Sequence, residues 1–174
     1  MSARALVIGV GNADRGDDAA GLHVARRIAA RGLPWIAVEE AGGDSLALLD
    51  RWAGVARVVL VDAAAPGGAP GATPGAAPGR IHRLDPLAGA LPRDIVLGST
   101  HAFGLAEAVE LARTLGRLPE RMTVYAIEAA DCAAGAALSP AVAAAVEQVA
   151  ARIAAELAPP GSGKGSEDGS EDDA

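Results

Sequence analysis

The chain has 174 residues, 51% of them hydrophobic but only 2% aromatic, with a formal net charge of -7. That length fits one domain with a core of Ala, Val, Leu and Ile. The acidic balance disfavours a nucleic-acid surface, although part of it sits in the tail, and no apolar run is long enough to span a bilayer. The single cysteine, Cys132, excludes an internal disulfide and fits a reducing cytoplasm. The opening residues MSARALVIGVGN carry no signal-peptide cleavage region, so a cytoplasmic location is expected.

The first element is a short apolar strand, ALVI from Ala5, read as covered on both faces. Gly9 and Gly11 permit a sharp turn after it, and Asn12 suits that turn. Residues 19–31 have helical periodicity, with Leu22, Val24, Ala25, Ile28 and Ala29 near one face and Gly32 beyond the end. PWIAVEE from Pro34 predicts a second strand. Asp44 or Ser45 is placed to cap a helix through SLALLDRWAG. Residues 55–62, VARVVLVD, form the most strongly β-branched run and predict the third strand. Residues 63–79, AAAPGGAPGATPGAAPG, exclude helix and central strand and predict a mobile loop. RIHRL from Arg80 reads as a short edge or antiparallel strand, with His82 facing solvent. Residues 85–93 read as irregular, and Ile95 opens a short extended piece. Ser99 or Thr100 is placed to cap a helix over residues 102–116. RMTVYAIE from Arg121 predicts the last strand, followed by a loop carrying Asp131 and Cys132. Ser139 and Pro140 start the final helix. Strands alternating with helices predict an α/β fold: a three-layer α/β/α sandwich around a five-stranded, mostly parallel twisted sheet. It forms a single domain over residues 1–158, followed by a disordered acidic tail over 159–174.

Three places carry chemistry. Residues 9–21, GVGNADRGDDAAG, deliver Asp14, Asp17 and Asp18 to the start of a helix. Asp17 or Asp18 there is either a helix cap or part of an acidic site, and one cap does not explain three aspartates. The run begins as G-x-G-x-x-G, but Asp14 stands at the third glycine position and would repel a pyrophosphate. Asp62 closes the third strand, where open α/β sheets place their ligands; a turn aspartate is the alternative. His101 falls at a helix N-terminus, which favours a neutral ring with a free lone pair; an exposed first-turn histidine is the alternative. Cys132 has no activating cation beside it and reads as a structural or incidental thiol rather than a nucleophile.

These residues, with VVLVDA at 58–63 and STHAFGLAEAV at 99–109, resemble the hydrogenase maturation endopeptidases. That family trims the C-terminal extension of the large subunit of nickel-iron hydrogenases. The resemblance spans about residues 4 to 157. It implies that Asp18, Asp62 and His101 are both the metal ligands and the catalytic residues. Two carboxylates and an imidazole suit Ni²⁺, that of the substrate, or another divalent ion such as zinc. The implied partner is the large-subunit precursor, met by a monomer that binds neither nucleic acid nor membrane. Two departures stand out. The family's aspartate after the second strand is replaced by Ala41, Gly42 and Gly43, with Glu39, Glu40 or Asp44 as candidate substitutes. The Pro-Gly loop is also longer and simpler than usual. Two other readings use the same residues. Peptidyl-tRNA hydrolases share the strand and G-x-G-N, but need basic surface and lack the Asp17-Asp18 pair. A nickel-sensing or chaperone module would use the three ligands without cleavage.

Overall fold

A computed structural model describes residues 4–42, 44, 46–65, 77–93, 95 and 104–160. The chain runs β1 (Ala5–Val10), a 3₁₀ turn (Gly16–Ala19), α1 (Ala20–Ala30), β2 (Ile36–Ala41), α2 (Ala47–Arg51), β3 (Arg57–Ala64), β4 (Ile81–Leu84), α3 (Leu105–Thr114), β5 (Arg121–Glu128) and α4 (Pro140–Glu156). The five strands form one sheet in the order β2-β1-β3-β5-β4. All pairings are parallel except β4 with β5, which is antiparallel. The expected architecture and the antiparallel edge strand are both present. Among the described residues no helix is long and apolar enough to cross a membrane.

Two apolar layers flank the sheet. On one face Leu6, Ile8, Leu60 and Val124 meet Leu48 of α2 and Leu105, Ala108 and Val109 of α3. On the other, Val7, Val59, Val61 and Ile127 meet Val24 and Ile28 of α1 and Val142, Val146, Val149 and Ile153 of α4. The central strands β1 and β3 are buried on both sides. This explains their unbroken apolar sequences, since a parallel strand under two helical layers has no solvent face to keep polar.

Gly9 lies inside β1, paired with Glu40 and Val61, and so does not make the turn expected of it. Its role is close approach. A Cβ on Gly9 would come within 2.1 Å of the Gly21 carbonyl oxygen, and one on Gly21 within 2.3 Å of the Val10 and Val61 carbonyl oxygens. The first turn of α1 therefore rests directly on the backbones of β1 and β3, a packing only glycine allows.

At the opposite end, Tyr125 is fully buried and its hydroxyl donates to Glu156 at the end of α4. Arg83 donates to both Glu156 carboxylate oxygens, at 3.0 and 3.3 Å. Burial first, and then the bond to Glu156, push the Tyr125 phenol up to about 12 from its ordinary 10.0. The unfolded chain ionises this group first. Its contribution to stability is therefore complete below about pH 10 and is lost as pH rises towards about 12. Tyr125 is the only tyrosine, so phenolate absorbance reads it alone. The expected titration midpoint is about 12 in the folded protein, and Tyr125→Phe removes this source of alkaline destabilisation. A folded-state midpoint near 10 contradicts the burial argument.

Candidate active site

The chain leaves β1 towards β2 on one side and returns to β3 on the other. The carboxyl ends of β1 and β3 thus bound the crevice where open α/β sheets bind ligands. Asp18 reaches it from the 3₁₀ turn after β1, and Asp62 from β3 itself. β3 runs two residues past Asp62, to Ala64, so Asp62 lies below the rim rather than closing the strand. Both carboxylates are buried, Asp18 at 4% and Asp62 at 1% exposure. The two groups therefore sit inside the crevice, with β3 continuing past one of them.

Asp62 Oδ1 accepts from the Ala63 amide at 2.8 Å. Its Oδ2 is buried with no hydrogen-bond partner among the described residues. Burial first, and then the charge of Asp18, raise the Asp62 pKa well above the usual carboxylate range, against the pull of the Ala63 N–H. A buried carboxylate with an unused oxygen beside a second carboxylate is costly unless a proton or a cation joins it. The donor set therefore fits a divalent ion, with Asp18 and Asp62 each supplying oxygen. Among the described residues no three metal-binding side chains converge. His101, the third expected ligand, lies outside the described residues, as do Ser99 and Thr100. Helix α3 begins at Leu105, with Gly104 before it donating to Glu107 at 2.9 Å.

Asp17 is neither the helix cap nor part of the site. α1 starts at Ala20 without a side-chain cap. The Asp17 carboxylate is fully buried. It accepts from the amides of Ala130 at 2.8 Å, Asp131 at 3.0 Å and Ser139 at 2.7 Å, and from the Ser139 hydroxyl at 2.9 Å. Asp17 thus ties the acidic turn to the loop before α4, and Ser139 at the start of that helix turns its hydroxyl to Asp17. Asp14 is exposed, with its amide bonded to Asn12 Oδ1 at 3.0 Å.

The candidate substitutes for the aspartate after β2 are occupied on the surface. Glu40 pairs with both guanidinium arms of Arg26, at 2.9 and 2.8 Å, and Glu39 with Arg51 at 2.9 Å. Asp44 accepts from the Ala47 amide at 3.2 Å, at the start of α2. Burial first, and then the charges of Asp18 and Asp17, push the Cys132 thiol up to about 11. It is therefore protonated near neutrality, as expected for a structural thiol.

Two residues at this edge were read differently from sequence. Glu128, the last residue of β5, is 3% exposed, and His82 Nε2 lies 2.7 Å from its Oε1. His82 therefore does not simply face solvent. The same argument that singled out Asp62, a charge at the carboxyl end of a buried strand, applies to Glu128.

A family profile described as hydrogenase maturation protease matches residues 22–156. The chain belongs to the hydrogenase maturation protease family. It is accordingly a peptidase, and the match takes in Asp62 and position 101 while beginning after Asp18. Solved structures agree in fold. The hydrogenase maturating endopeptidase HybD from E. coli is 22% identical, over 90% of this chain and 92% of that one, with a TM-score of 0.65. HycI from Thermococcus kodakarensis KOD1, a [NiFe] hydrogenase maturation protease, is 24% identical over 88% and 92%, with a TM-score of 0.66. HybD from Thermococcus kodakarensis, also a [NiFe] hydrogenase maturation protease, is 26% identical over 91% and 100%, with a TM-score of 0.61. No curated protein matches the chain at a comparable level.

Proposed function

We propose that this maturation protease removes the C-terminal extension of a nickel-loaded large-subunit precursor of a nickel-iron hydrogenase. In this reading Asp18, Asp62 and His101 grip the nickel that the precursor carries. The observation that supports it best is the Oδ2 of Asp62, which has no hydrogen-bond partner among the described residues and is buried next to the Asp18 charge. A buried carboxylate oxygen with no partner among the described residues, beside a second carboxylate, suits a cation that arrives with the substrate. Before it arrives, the raised Asp62 proton affinity keeps a second negative charge from facing Asp18, and the incoming cation displaces that proton. A nickel-sensing module without cleavage would use the same ligands, and membership of a protease family favours cutting over sensing.

The test is incubation with nickel-loaded and nickel-free precursor, followed by mass spectrometry of the large subunit. A single C-terminal mass loss confined to the loaded precursor is expected, and His101→Ala should abolish it with the melting temperature unchanged. Equal cutting of both precursors, or normal processing by His101→Ala, rules the reading out.

A further inference from the structure

The sheet register places a second polar group in line with the carboxylates. Asp62 pairs with Ala126 across β3 and β5, and His82 pairs with the same Ala126 across β5 and β4. Directly paired residues point to the same face, so Asp62 and His82 share the side that α2 and α3 cover. That assignment agrees with Leu60, Leu84 and Val124, which pack into the layer of α2 and α3. At about 4.8 Å per strand, the Cα atoms of Asp62 and His82 stand roughly 10 Å apart.

Glu128 lies two residues nearer the carboxyl rim than Ala126 and draws the ring of His82 that way. Its carboxylate is held on both oxygens: Oε1 by His82 Nε2 at 2.7 Å, and Oε2 by the Ala77 amide. The backbone beneath is fixed as well, with Gly79 N–H donating to Glu128 O at 2.8 Å and Glu128 N–H to Arg80 O at 2.9 Å. His82 keeps 22% of its side chain exposed, and its Nδ1 has no hydrogen-bond partner among the described residues. A buried carboxylate that orients an imidazole and leaves the other nitrogen open is the arrangement of a proton carrier.

Breaking a peptide bond needs such a group. Water adds to the carbonyl carbon, the carbon–nitrogen bond breaks, and the departing amine must leave with a proton. Asp18, Asp62 and His101 are committed to the nickel in the reading above. We propose that His82, oriented by Glu128, is the catalytic residue that protonates the leaving amine. Imidazolium Nδ1–H gives its proton to the amine nitrogen, and the proton shed by the attacking water restores it. One water is consumed, and one carboxyl and one amine group are formed. The charged groups around His82 are Glu128 itself and Arg80, whose Nη1 lies 3.9 Å from Glu128 Oε1, with Asp62 two strands away. On α3, Glu107 is occupied by the Gly104 amide, and Glu110 and Arg113 by each other.

The inference rests on the proposed nickel-dependent cleavage, and the experiment separates the two. Full-length His82→Gln is mixed with nickel-loaded precursor, and both binding and single-turnover cleavage are measured across pH. Binding should stay within a few-fold of the parent while cleavage falls about 100-fold and the alkaline limb of the rate profile disappears. Added imidazole should restore part of the rate to His82→Ala. Glu128→Gln keeps an acceptor for Ala77 but cannot balance an imidazolium, and should slow cleavage about 10-fold. Parent-like cleavage by His82→Gln, where His101→Ala is inactive, overturns the role of His82 alone. Loss of binding and thermal stability together in His82→Gln marks a structural residue and also overturns it. A parent protein that cuts no nickel-loaded precursor removes the reading and this inference with it.

Discussion

Asp62→Asn should give a protein that melts no lower than its parent and cuts no precursor. The parent carries a carboxylate that is 1% exposed, has an unpartnered Oδ2 among the described residues, and stands in the field of Asp18. The Ala63 N–H offsets only part of the cost of that charge, so a neutral side chain of the same shape, which keeps an oxygen for Ala63, removes repulsion and desolvation at little structural cost. Cleavage is different. Changing partners that merely support a metal ligand costs about 10–100-fold, and removing a direct ligand should exceed that. The pair of measurements is a melting curve and a precursor-processing assay. A variant that processes at the parental rate shows that Asp62 is not a ligand, and one that melts well below the parent shows that its carboxylate is structural.

Asp17→Ala should do the reverse. Removing this carboxylate strands three amides and one hydroxyl in a buried place. Each buried donor left without an acceptor costs about 1–3 kcal/mol, with some relief from water. A loss of about 3–5 kcal/mol is expected, the range seen when one partner of a buried charged network is removed. Asp17→Asn should also destabilise, because its NH₂ must face donors. Denaturant unfolding measures the loss. Below the melting transition, the folded fraction should still process precursor at nearly the parental rate per molecule, because Asp17 holds the turn and not the cation. A change below 1 kcal/mol overturns this assignment.

The contrast between these neighbours explains what the sequence could and could not reveal. The strands were legible because β1, β3 and β5 are buried and β-branched, and the antiparallel edge because RIHRL is short and follows a long Pro-Gly run. That Asp18 and Asp62 lie near one edge of the sheet was legible because the turn after β1 and the last residues of β3 have fixed places in a parallel sheet. The sequence leaves Asp17 open between a cap and an acidic site because its partners lie 113 to 122 residues away, beyond the reach of any local pattern. His82 was misread because four residues of alternating character leave the inward face of an edge strand undecided. Glu128 settles that face, and its own burial depends on β4 and on the chain at Ala77.

The separation of Asp17 from its partners also sets an order in time. The elements that flank the acidic turn, β1 and α1, are made early in synthesis. The amides of Ala130, Asp131 and Ser139 that complete the Asp17 network are supplied by the last stretch before α4. Closing so long a span is slow compared with forming the local helices and turns. A nascent chain, or one broken before Ala130, therefore holds the acidic turn without the buried network that stabilises it, and the turn reaches its full stability only once the start of the last helix has been made.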